Sequence, residues 1–96
     1  MIKTFRDTQT EDIFRGKQVK KIPKALQRKA LKKLLLIDNA AQIEDLRIPP
    51  GNKLEKLKGK WKNDWSIRVD RQYRIMFRWK DGNAYDVLFI DYHDKL

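Results

Sequence analysis

The sequence predicts an α+β fold, with an N-terminal strand and two to three helices packed on one face of a small, mainly antiparallel sheet of four to five strands. Three observations lead there. Apolar residues recur at three-to-four spacing through residues 23–39, the period of a helix with one buried face. From residue 65 the pattern changes to alternation, the period of a strand. Between the two regimes, Pro49-Pro50-Gly51-Asn52 makes a firm break. At 96 residues, 41% of them hydrophobic, the chain is one domain spanning residues 1–96 with material for a single modest core.

Residues 2–6 open as a short strand, and residues 8–15 form a short helix with Asp7 or Thr8 as N-cap. Glu11 and Asp12 suit its first turns, and Gly16 ends it. Ile22-Pro23 is a boundary, because proline costs no hydrogen bond at the first helical position. The helix that follows, residues 23 to about 39, buries Leu26, Ala30, Leu34 and Ile37, with Leu31 and Leu35 widening the stripe. Residues 40–46 fit another short helical turn, and residues 54–58 a strand at the sheet edge. Trp65, Ile67 and Val69, then Tyr73, Ile75, Phe77 and Trp79, share one apolar face across two antiparallel strands. Asp81-Gly82 signals a hairpin into residues 84–90, whose run Val87-Leu88-Phe89-Ile90 is apolar on both sides and so central or helix-covered. Arg68, Arg74 and Arg78 then fall on the opposite, solvent-facing side of the sheet, where they form a phosphate-binding surface.

Twenty-three Lys and Arg against thirteen Asp and Glu give a formal net charge of +10. Lys24, Arg28 and Lys32 repeat along one helical face in a stretch that holds no acid between Ile13 and Ile37. A solvated face is the ordinary fate of such a run, but the missing acids favour contact with a polyanion or an acidic protein. Without cysteine there is no disulfide, thiolate metal site or cysteine nucleophile, and one histidine makes no zinc site. No metal or other cofactor is therefore expected. The first residues lack the apolar stretch of a signal peptide, and Leu34-Leu35-Leu36-Ile37 is far too short to span a membrane. The expected setting is the cytoplasm.

Cleaving RNA by internal transfer needs a base for the 2′-hydroxyl, cations for the crowded phosphate and an acid for the leaving 5′-oxygen. Lys58, Arg74, Asp91, Tyr92 and His93 are the residues able to supply these. If the last strand runs on to His93, Asp91 and His93 point to the same side and Tyr92 to the other. Each also has an ordinary reading: a surface histidine, a strand-ending aspartate, an edge tyrosine, one lysine among many. Residue chemistry alone leaves a basic nucleic-acid-binding domain.

Taken together, the segments Pro49 through Gly59, Trp65-Ser66-Ile67-Arg68-Val69, Tyr73-Arg74-Ile75-Met76-Phe77-Arg78-Trp79, Ala84-Tyr85-Asp86-Val87 and Asp91-Tyr92-His93 resemble the HigB toxins of the RelE/ParE superfamily. The resemblance covers essentially the whole chain. It implies a RelE-like fold and a bacterial type II toxin, a metal-independent endoribonuclease that cuts mRNA on the ribosome. It also implies a HigA-like helix-turn-helix antitoxin, with operator DNA reached only through that partner. By position, Lys58 would act at the scissile phosphate, Arg74 would hold phosphate, and Asp91, Tyr92 and His93 would form the catalytic end of the sheet, with His93 the foremost candidate for proton transfer. Arg68, Arg78, Lys56, Lys60 and Trp61 complete the expected RNA-binding set, Trp61 either stacking on a base or covering the sheet edge. Some relatives carry a second histidine where this chain has Glu55, which leaves a catalytic part for Glu55 open. Two other functions stay in view: a ParE-like gyrase inhibitor without nuclease activity, and a basic RNA-binding domain without catalysis. The antitoxin is expected on the basic helical region around Lys20, Lys21 and Lys24 and on the sheet edge.

Overall fold

The computed structural model describes residues 1–95. Helix α1, Thr8–Phe14, is capped by Asp7, whose carboxylate accepts from the Thr10 amide at 2.8 Å. Gly16, at φ 80, lets the chain turn out of it. Helix α2, Lys24–Asn39, starts behind Pro23 and buries Ala30, Leu34 and Ile37. Leu26 and Leu31 pack at the margin of this core, whereas Leu35, expected to widen the stripe, stays 43% exposed. It lies roughly 100° round the helix from Leu34, beyond the width that the sheet covers. No helix among the described residues is long and apolar enough to cross a membrane.

A 3₁₀ turn, Ile43–Arg47, buries Leu46 and takes the place of the turn expected at residues 40–46. Beyond it, Asn52 is fully buried. Its amide donates to the Leu46 carbonyl at 3.1 Å and the Ile48 carbonyl at 3.3 Å, while its oxygen accepts from Lys33. One polar side chain thus ties the proline-rich loop to α2 by satisfying backbone groups that have no ladder partner.

The sheet is antiparallel in the order β1 (Glu55–Lys56), β2 (Asp64–Arg68), β3 (Tyr73–Lys80), β4 (Asn83–Asp91). Ile67, Ile75, Phe77, Ala84, Val87 and Phe89 meet the helices and form the core with Ile13, Leu34, Ile37 and Leu46. The expected first strand is reduced to two parallel bridges, Ile2 with Ala84 and Phe5 with Val87. A bulge in β4 explains the interruption. Met76 pairs with Leu88 and Arg78 with Tyr85, so Asp86 and Val87 together face Phe77, and Asp86 takes φ 54. The extra residue lets both Ala84 and Val87 point into the core, and Thr4 fills the gap by accepting from the Asp86 amide at 2.8 Å.

The sheet face away from the helices is less open than expected. Met76 and Ser66 are fully buried there, and Leu57 nearly so, although neither Met76 nor Leu57 joins the main core.

Candidate active site

Arg74 sits on β3 with its side chain only 11% exposed, at the bottom of the uncovered part of that face. Its Nε donates to Ser66 Oγ at 2.8 Å and its Nη2 to the Lys53 carbonyl at 2.7 Å. The guanidinium lies 5.1 Å from the centre of the Tyr92 ring and 4.0 Å from Glu55 Oε1. Burial lowers its pKa from the usual arginine value; Glu55 and Tyr92 oppose that shift and Arg68 adds to it. The fork is therefore aimed before any ligand arrives.

Tyr92 donates its hydroxyl to Glu55 Oε1 at 2.8 Å, and its backbone amide is held by the Gln72 carbonyl at 2.8 Å. Glu55, Lys56, Leu57, Lys58 and Tyr92 line a shallow depression of about 250 Å³. Lys58 and Tyr92 thus meet in one concavity, with Arg74 stacked behind the tyrosine. Glu55 enters through its edge-strand position, where it pairs with Ser66.

The chain beyond β4 departs from the expected geometry. The strand stops at Asp91 and Tyr92–Lys95 form a 3₁₀ turn, so strand alternation does not reach His93. Asp91 and His93 still meet, through a local turn: Asp91 Oδ1 accepts from the His93 amide at 3.0 Å and lies 3.3 Å from its Nδ1. Gln72 donates to the other oxygen at 2.8 Å. These bonds, Gln72 first and then the His93 amide, lower the Asp91 pKa below the ordinary carboxylate value. The His93 side chain is 77% exposed and stands outside the depression.

The remaining expected residues divide. Arg68 faces Arg74 across β2 and β3 and lines a second concavity with Lys29, Lys33 and Arg71. Arg78 is exposed toward the far end of β3, opposite Asp64. Lys56 lies over Trp65, 5.2 Å from its ring centre. Trp61 is half-buried with Arg6 at 5.4 Å and Lys60 at 5.6 Å from its ring centre. Two positioning residues, Ser66 behind Arg74 and Gln72 behind Asp91, carry no chemical signature in the sequence. Only the hairpin register, which sets Ser66 diagonal to Arg74, would have revealed the first.

Comparison with known proteins agrees with this architecture. Residues 3–93 match the model of the HigB-like toxin family, described as RelE-like toxin of type II toxin-antitoxin system HigB. Toxin HigB-1 of Vibrio cholerae is 40% identical over 90 residues, covering 93% of this chain and 94% of the relative. Endoribonuclease HigB of Proteus vulgaris is 32% identical, covering 97% of this chain and all of the relative. Crystal structures of YafQ from E. coli share the fold: a YafQ mutant superposes with a TM-score of 0.62 over 91% of this chain and 89% of that one, at 16% identity. With residues 3–93 matched, nearly the whole chain, the chain belongs to the HigB-like toxin family of type II toxin-antitoxin systems.

Proposed function

We propose that this toxin cuts mRNA on the ribosome, without a metal, by attack of a 2′-oxygen on the neighbouring phosphorus. The P–O2′ bond forms and the P–O5′ bond breaks, leaving a cyclic phosphate and a free 5′-hydroxyl. The observation that carries the reading is the Lys58 depression, where Tyr92 hydrogen-bonded to Glu55 stands against Arg74. Lys58 and Arg74 supply fixed positive charge to the phosphate as its charge builds up. Glu55 and Tyr92 form a proton path beside the attacking hydroxyl, so Glu55 fills the place of an absent second imidazole. His93, held near Asp91, gives its proton to the leaving 5′-oxygen once the substrate draws the tail across the depression.

The endoribonuclease name of the Proteus vulgaris relative supports the same reaction class. A type II toxin has an antitoxin, and we assign it a helix-turn-helix protein of the HigA kind, with both acting in the cytoplasm. The test is transcript mapping on translating ribosomes with wild type, Lys58→Ala and His93→Ala, each stripped with EDTA and desalted before it meets the ribosomes. Stripped wild type should cut, and each variant should lose about 10²-fold or more, the usual scale of an acid-base or electrostatic group. Full cleavage by both variants would remove the assignment, and supercoiling inhibition without cleavage would replace it with gyrase binding.

A further inference from the structure

A second concavity, about 540 Å³, lies where the β2–β3 hairpin meets α2. Lys29 and Lys33 reach it from the helix, Arg68 and Arg71 from the hairpin, and Gly51 forms part of its wall. Four cations converge there with one carboxylate, Asp70. That carboxylate is already committed, accepting from the backbone amides of Gln72 at 2.8 Å and Tyr73 at 2.7 Å. Among the described residues, the side chains of Lys29, Arg68 and Arg71 have no ion-pair or hydrogen-bond partner, and Lys33 is turned onto Asn52. Burial, then the neighbouring Lys32, lowers the Lys33 pKa. Arg68 stands directly across the strands from Arg74, and Glu55, 4.0 Å from Arg74, offsets that arginine while no carboxylate pairs with Arg68 among the described residues. Nothing in the fold requires this crowding, since exposed Lys29 and Arg71 contribute nothing to the core.

We propose that this notch binds the phosphodiester backbone of RNA, one cross-strand pair away from the cleavage depression. The inference rests on the RNA-cleaving reading above and extends the substrate path from Arg74 through Arg68 onto α2. Bidentate arginines suit successive phosphate oxygens, and the lysines add charge from the helix side. The acid-free part of α2, up to Ile37, is then a rail for the polyanion, complementing the depression where the bond breaks.

The test measures binding apart from cleavage. Fluorescently labelled 2′-O-methyl RNA, which has no 2′-hydroxyl to attack, is titrated with the full chain across a salt series, as a single strand and as a duplex. Lys29→Gln with Arg71→Gln is compared with Lys3→Gln with Lys80→Gln, which removes the same charge from the other end of β3 and the N-terminal edge. The notch pair should weaken binding by about an order of magnitude and, on the single strand, reduce the salt slope by about 1.4, or about 0.7 for each lost contact, while the control pair changes little. Loss on the single strand marks a path for mRNA, and loss on the duplex a grip on a ribosomal helix; either supports the notch. Equal weakening by both pairs would reduce it to bulk charge. Unchanged RNA binding with loss of antitoxin copurification would make the surface a protein interface and overturn it. A wild type that binds through the notch yet cuts no transcript would defeat the nuclease assignment while leaving the notch standing.

Discussion

Arg74 owes its position to short polar contacts, and these distinguish its charge from the many others on the chain. Arg74→Lys keeps the charge but cannot reach Ser66 Oγ and the Lys53 carbonyl together. Single-turnover cleavage should fall by about 10²-fold or more, with a stability loss of about 1–3 kcal/mol for the partner left unsatisfied. Asp91 offers a test in pH. Because its folded-state pKa is depressed, its contribution to anchoring the tail is complete above the unfolded value of about 3.9 and is lost as pH falls through the folded value. Gln72→Ala removes the largest cause, so carboxyl NMR titration should find the Asp91 pKa moved up toward the free value, and the tail should release at higher pH. Sequence chemistry reached Lys58, Arg74 and Tyr92 as residues, and the fold brings these three to one place. It did not reach the Glu55–Tyr92 bond, which joins residues 37 positions apart and depends on β1 pairing at the sheet edge.

Among the elements, the loop after the first 3₁₀ turn rests on Asn52. Asn52→Ala would leave the Leu46 and Ile48 carbonyls and the Lys33 ammonium without their partner. Urea denaturation should show a loss of about 1–3 kcal/mol, the cost of orphaned buried groups. The helices and the β2–β3 hairpin were legible because their periods hold without interruption: Ala30, Leu34 and Ile37 on one, Ile67, Ile75 and Phe77 on the other. The bulge in β4 was not. Alternation sets Ala84 and Val87 on opposite faces, and Asp86, a residue without the usual glycine signal, moves both into the core. The same limit applies to the tail, where a strand reading aligned Asp91 with His93 and a turn brings them together instead.

For the whole molecule, one small core carries the stability. Phe77 is fully buried between the sheet and the helices, and Phe77→Ala should cost about 3–5 kcal/mol, a large part of the roughly 5–15 kcal/mol available to a domain. A thermal melt should record either a steep drop in midpoint or no folded state. The +10 net charge acts on a different quantity, the rate of encounter with a polyanion, so association with RNA should slow steeply as salt rises in stopped-flow measurements. The pairing of the first residues with β4 sets an order of events during synthesis. Lys3 and Arg6 donate to the Ala84 and Val87 carbonyls, so the earliest segment waits for nearly the last one to be made. Asp91, Tyr92 and His93 emerge later still. The sheet therefore closes, and the proposed catalytic end forms, only once residues 84–93 have been made.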